Sequence, residues 1–207
     1  MTTWIAGATG LIGRALRAQL PDAIALVRQP APDAAVVDYH RPASFDALPT
    51  PTRLFIALGT TMAQAGSQAA FRAVDFEAVV TVARAARKRG ATHCGLVSAL
   101  GADARSGVFY NRVKGEAEDA LVALGFQRLV IARPSLLDGP REQLGQPFRP
   151  GEAWALRLTR PLAPLIPARW RPIAVERVAR ALRLALDQPG PALQVLESAA
   201  LQTLGAP

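Results

Sequence analysis

The sequence predicts an α/β protein built on a doubly wound parallel sheet. Three observations carry this: short continuous apolar runs, stretches with helical spacing between them, and a glycine turn directly after the first run. Strands buried on both faces read as unbroken apolar runs, and strands alternating with helices give a parallel sheet covered on each side.

Taken in order, Thr3, Trp4, Ile5 and Ala6 form a first buried strand that ends at Gly7. Residues 11–20 carry apolar side chains at helical spacing and stop before Pro21. Residues 23–28 make a second strand closed by Gln29 and Pro30, residues 34–38 a short third, and residues 53–58 a fourth. Residues 68–89 form a long helix whose Phe71, Val74, Ala78, Val82 and Ala85 recur every three or four positions, with Gly90 as its stop. Residues 93–98 are a fifth strand, 109–124 a helix ending at Gly125, and 129–132 a sixth strand closed by Arg133 and Pro134. Beyond Arg133 the chain is rich in Pro and Arg as far as Pro172, then gives a helix over 175–186 and a strand over 193–196. Length and pattern fit one domain spanning residues 1–207, with about 135–207 as a small substrate-side cap. In such a sheet the ligand crevice lies at the carboxyl ends of the strands, where the winding reverses.

Composition narrows the classes. Half of the 207 residues are hydrophobic and 19% are charged, which argues against disorder. No apolar run reaches the ~18 residues of a membrane-spanning helix, and the start of the chain lacks the pattern of a signal peptide. Cys94 is the single cysteine, so no disulfide framework exists, and a reducing, cytoplasmic location is expected. The formal net charge of +8 comes almost wholly from arginine, since Lys88 and Lys114 are the only lysines. Those arginines are scattered, without basic blocks or interleaved aromatics, so no nucleic-acid partner is expected. His40 and His93 stand apart from any ligand pattern, and no metal site is expected.

The chemistry begins at Gly7, Ala8, Thr9, Gly10, Leu11, Ile12 and Gly13, a G-x-x-G-x-x-G turn between first strand and first helix. A pyrophosphate needs backbone N–H groups and a helix N-terminus at van der Waals distance, and side chains at the three glycines would obstruct that approach. This is the dinucleotide-binding form of the doubly wound sheet, the Rossmann fold. The second strand ends in Arg28, where an acidic residue would favour NAD through the ribose hydroxyl. Arg28 can hold a 2′-phosphate bidentately, which favours NADP(H) over NAD; a solvent-facing arginine is the competing reading. Asp38 can accept from the adenine amino group, and Leu58, Gly59 and Thr60 lie where the fourth strand meets the crevice.

Tyr110 and Lys114 stand four apart on one helical face. An ammonium beside a phenol favours phenolate, so such a tyrosine can exchange a proton with a carbonyl or alcohol while a nicotinamide exchanges hydride. Lys114 can also hold the nicotinamide ribose. Ser98, at the end of the fifth strand, can hydrogen-bond the substrate oxygen, although serine is common at strand ends. Glu116 and Glu118, on the same helix, read as a solvated face rather than as paired acid/base groups. Residues 154–171 mix Trp154, Leu158 and Trp170 with Arg157, Arg160, Arg169 and Arg171. A cap packed over the sheet, a pocket wall, a membrane surface and a partner contact are all open for that stretch.

Together these residues resemble the short-chain dehydrogenase/reductase superfamily in its extended or atypical branch. Residues 58–61, 97–103 and 110–116 with Arg133 and Pro134 are similar to its Tat-interacting-protein-like and nucleoside-diphosphate-sugar-epimerase-like groups. The similarity runs over about residues 3–198 and implies Gly7, Gly10 and Gly13 at the phosphates, Tyr110 as acid/base, Lys114 as its partner and Ser98 assisting. It implies an NADPH-dependent oxidoreductase or isomerase of a small carbonyl or hydroxyl substrate, and a homodimer through the long helix. Two departures stand out: Asp75 where extended members often carry asparagine, and Ala99 where a second serine is common. A competing class is a regulatory protein that senses NADPH without turnover.

Overall fold

The structure, a computed structural model, describes residues 1–139 and 167–206. Seven parallel strands form one sheet: β1 (Thr3–Ala6), β2 (Ile24–Val27), β3 (Ala34–Val36), β4 (Arg53–Ile56), β5 (His93–Val97), β6 (Arg128–Arg133) and β9 (Leu193–Glu197). Their order is β3-β2-β1-β4-β5-β6-β9, so the winding reverses between β1 and β4. A two-stranded parallel ribbon, β7 (Leu137–Asp138) with β8 (Ile173–Ala174), sits beyond β6. The helices are α1 (Leu11–Gln19), α2 (Met62–Ala65), α3 (Gln68–Arg72), α4 (Val79–Lys88), α5 (Phe109–Ala123), α6 (Val175–Asp187) and α7 (Ser198–Leu204).

Alternation along the strands builds two cores. Ile5, Phe55, Val97 and Val130 point to the face covered by α1 and α6, where they meet Ile12, Leu16, Val178 and Leu182. Trp4, Leu54, Ile56, Leu96 and Ile131 point to the other face, against Val79, Val82 and Ala83 of α4 and Leu121 of α5. This is the doubly wound α/β architecture that the apolar runs predict. The chain between β3 and β4 packs under the second core: Phe45 stacks on Trp4 with ring centroids 6.1 Å apart, and Trp4 Nε1 donates to the Pro49 carbonyl at 3.1 Å.

Several elements differ from the expectation. β3 stops at Val36, because Asp38 folds into a local turn in which its carboxylate accepts from the His40 N–H at 2.9 Å. The long helix contains a π-helical stretch, Ala73–Ala78, between α3 and α4. A π turn carries one extra residue per turn and rotates the side chains that follow; here the widened turn carries buried Asp75. Glu118 is buried, not solvated, and pairs with Arg133 of β6 at 2.5 Å; Glu116 pairs with Arg72. The cap reading of residues 154–171 falls, through residue 166, outside the described residues. Of its final part, Trp170 is exposed. Among the described residues no helix is long and apolar enough to cross a membrane.

The last strand is riveted to the sheet by Arg128. This arginine is 5% exposed and, among the described residues, pairs with no carboxylate; it donates to the Ala185 carbonyl at 2.8 Å, to Gln194 Oε1 at 2.6 Å and to the Pro191 carbonyl. It thereby ties β6 to the end of α6 and the start of β9. Arg128→Met keeps the apolar stem and strands those acceptors, so unfolding in urea is expected to show a loss of about 2–4 kcal/mol.

Candidate functional site

The carboxyl ends of β1, β4, β5 and β6 frame a cavity of about 420 Å³. Its walls are residues 10–12 after β1, 57–61 and Gln64 after β4, 97–100 after β5, Tyr110 and Lys114 of α5, and 134–137 after β6. Of the residues singled out from sequence, Gly10, Leu11, Ile12, Leu58, Gly59, Thr60, Ser98, Tyr110 and Lys114 line this one space. Gly7, Thr9, Gly13, Arg28 and Asp38 do not. Arg28 is exposed beyond β2, and its charge acts on Tyr39. One Asp38 carboxylate oxygen is already engaged by its own loop.

The three turn glycines have different reasons. Gly7 sits at φ +79°, and a Cβ there would overlap the Ala57–Leu58 backbone, 2.7 Å from Leu58 N. A Cβ on Gly13 would run into the turn itself, 2.8 Å from Ala8 Cα. Those two glycines let β1, α1 and β4 close on one another. Gly10 is not crowded: its Cβ would meet only the Gly7 carbonyl at 3.4 Å and the Ala57 carbonyl at 4.0 Å, and it faces the cavity.

Tyr39 braces the turn from below. Its hydroxyl donates to the Leu26 carbonyl at 2.8 Å and accepts from Gly7 N–H at 3.3 Å. Burial pushes the phenol up to about 12, against the opposing pull of the Gly7 N–H and the Arg28 charge. Sequence reading passed over this residue, since nothing in its neighbourhood marks it as a brace.

At the other end of the cavity Lys114 is buried and forms an ion pair with Asp75, Nζ to Oδ1 at 2.7 Å. The other carboxylate oxygen, Oδ2, accepts from Thr60 N–H at 2.9 Å. A Cβ on Gly59 would lie 3.3 Å from Asp75 Oδ1 and 3.5 Å from Lys114 Nζ, so its bare backbone seats the loop over the pair. Burial works to strip the Lys114 proton, but Asp75, with help from Tyr110 and Glu118, overrides it and holds the ammonium above its ordinary range. Tyr110 packs at a tilt of 45° against Phe71 of α3 with centroids 5.3 Å apart, which holds its ring at the cavity wall. Ser98 Oγ is buried at that wall, and among the described residues it has no hydrogen-bond partner. An unpaired buried hydroxyl costs roughly 1–3 kcal/mol; a ligand oxygen would remove that cost.

Comparison with known proteins follows this geometry. No family model matches the chain. The structure is similar to MoeE5 in complex with UDP-glucose and NAD (TM-score 0.71, 18% identity, 95% of this chain and 75% of that one). It is also similar to a short-chain dehydrogenase/reductase superfamily protein of Agrobacterium tumefaciens with bound NAD (TM-score 0.69, 16% identity, 95% and 76%). The likeness shows a shared fold, the doubly wound Rossmann-type α/β sheet. In sequence, the chain is 37% identical over 154 residues to the mitochondrial protein FMP52 of Eremothecium gossypii, spanning 69% of each. It is 44% identical over 107 residues to the mitochondrial protein fmp52 of Emericella nidulans, spanning 52% of this chain and 44% of that one. The chain belongs to the FMP52 family. These relatives are named as mitochondrial proteins, which corrects the cytoplasmic expectation: the lone cysteine spoke only to a reducing environment, not to an address.

The glycines can be separated by stability alone. Gly7→Ala and Gly13→Ala are each expected to lose about 3 kcal/mol or more through strain and overlap. Gly10→Ala is expected to stay within about 1 kcal/mol of the parent. Chemical denaturation of the three variants measures this order.

Proposed function

We propose that the protein is an NADPH-dependent oxidoreductase, or isomerase, acting on a small carbonyl or hydroxyl substrate. The observation that carries the reading is the convergence, on one cavity, of the uncrowded Gly10, the unpartnered Ser98 hydroxyl, Tyr110 and the charged Lys114. The Gly10 clearance and the helix N-terminus of α1 fit a dinucleotide diphosphate, and the nicotinamide, when bound, supplies hydride exchange.

The chain's own residues do the rest. The backbone N–H groups of Leu11 and Ile12 would receive the diphosphate, the Gly10 N–H being donated to the Gly7 carbonyl, and Leu58, Gly59 and Thr60 form the floor beside it. Lys114 anchors the nicotinamide ribose through its ammonium. Ser98 Oγ donates to the substrate oxygen, which holds the reacting carbon in place. Tyr110 Oη passes its proton to that oxygen in reduction and takes it back in oxidation. Arg28, exposed beyond β2, is the 2′-phosphate ligand and the source of NADPH preference. Solved structures of similar fold that hold NAD or NADPH support the cofactor class, and Arg28 supports the choice within it.

Two outcomes are expected. Tyr110→Phe abolishes substrate-dependent NADPH oxidation and leaves NADPH affinity within about twofold, because only the proton path is lost. Purified protein assayed across aldehydes, ketones and quinones measures this. NADPH that binds but is consumed with none of them would replace the enzyme reading with the sensing one. Arg28→Glu weakens NADPH binding by tenfold or more while NADH binding changes little. Fluorescence titration with both dinucleotides reads the ratio, and equal losses for the two would remove Arg28 from the phosphate site.

A further inference from the structure

We propose that Tyr39 is a positioning residue for the coenzyme: its hydroxyl fixes the spacing between the glycine turn and Arg28, and that spacing is what lets the protein prefer NADPH to NADH. The inference deepens the proposed function and rests on its reading of the turn as the diphosphate site and of Arg28 as the 2′-phosphate ligand. The last paired residues of β1 and β2 are Ala6 and Leu26; beyond them one chain enters the turn at Gly7 and the other reaches Arg28 two positions on. The Tyr39 hydroxyl joins the two at that point, accepting from Gly7 N–H at 3.3 Å and donating to the Leu26 carbonyl at 2.8 Å.

The ring that carries this hydroxyl is itself held. Tyr39 is buried, with Phe45 tilted against it at a centroid distance of 6.2 Å, and Phe45 stacks in turn on Trp4 of β1. The loop is pinned as well: Asp38 N–H donates to Ser44 Oγ at 3.1 Å, and Ser44 Oγ donates back to the Asp38 carbonyl at 2.9 Å. Burial keeps the phenol protonated at neutral pH, so the hydroxyl donates and accepts at once, and Arg28 is near enough for its charge to act on it. In NADPH the diphosphate and the 2′-phosphate are joined through one ribose, so their separation is set covalently. A site that engages both together must match it, and the gain from the second contact is lost when the geometry does not. NADH lacks the 2′-phosphate and is indifferent to where Arg28 lies. Without the hydroxyl, Gly7 N–H and the Leu26 carbonyl lose the partner they share, and the turn and the end of β2 are free to shift against each other.

Fluorescence titration of the parent and of Tyr39→Phe with NADPH and NADH tests this without any substrate. The variant keeps the ring against Phe45 and removes the hydroxyl alone. Its preference for NADPH over NADH is expected to fall about fivefold or more, the loss lying in NADPH binding. The same substitution made on Arg28→Gln is expected to change the preference by less than about twofold, because the phenol acts through Arg28. Equal losses for the two dinucleotides, or no loss for either, would overturn the proposal, as would a fall in preference that persists at full size on Arg28→Gln. A Tyr39→Phe protein that does not fold, as read by circular dichroism and urea unfolding, would make the hydroxyl a requirement of the core and equally overturn the coenzyme role. The two readings separate on the parent. Binding of neither dinucleotide sinks the proposed function and the Tyr39 role together, whereas an NADPH preference that Tyr39→Phe leaves untouched sinks the Tyr39 role alone.

Discussion

The contact on which the molecule depends is backbone on backbone: at Gly7 and Gly13 there is no volume for a side chain. Because β1, α1 and the end of β4 meet there without intervening Cβ atoms, the reversal of winding between β1 and β4 becomes a cleft of fixed width. Every group at the cavity is referred to that point. The Ala57–Leu58 backbone against Gly7 continues into Gly59 and Thr60, which rest on Asp75, which holds Lys114. Tyr39 secures the same turn from the core side through Gly7 N–H and the Leu26 carbonyl.

Around that frame the polar interior is economical. A buried ammonium is costly to desolvate, and only a partner at ion-pair distance repays the cost. Lys114 has such a partner in Asp75, and Arg133 has two, Glu118 at 2.5 Å and Glu197 at 3.1 Å. Arg128 is satisfied differently, by carbonyl and amide oxygens at the end of a helix, where a cation is favoured by the helix dipole. Among the described residues that line the cavity, Ser98 keeps a buried hydroxyl oxygen without a hydrogen-bond partner.

Much of the fold was legible because its strands obey one rule. Runs such as 4–6, 54–56 and 94–97 are apolar throughout, and buried parallel strands leave little else as an explanation. The cavity was legible where chemistry is local in sequence: the glycine turn, and Tyr110 with Lys114 on one helical face. What escaped depends on distance along the chain. The π turn at Ala73–Ala78 keeps the apolar spacing of an ordinary helix, so Asp75 showed only as an unusual residue and not as the partner of Lys114. Glu118 read as solvated because Arg133 lies a strand away. The ribbon of β7 and β8 joins segments 36 residues apart, through pairs of residues too short to announce a strand. Location failed for another reason: cysteine count reports redox conditions, and several compartments share them.

The packing of α1 against α6 has a consequence for how the protein is made. Helix α1 follows the first strand, yet the helix that covers it comes last but one; Gln19 of α1 reaches the carbonyl of Glu176, 157 positions later. During synthesis the glycine turn and its helix emerge early and wait, with Ile12 and Leu16 uncovered, until the ribosome has released nearly the whole of the chain. The first half of the sheet can therefore be assembled locally long before it is sealed. Such delayed closure makes folding slow relative to helical proteins of similar size and leaves the nascent chain dependent on protection from neighbours in the interval.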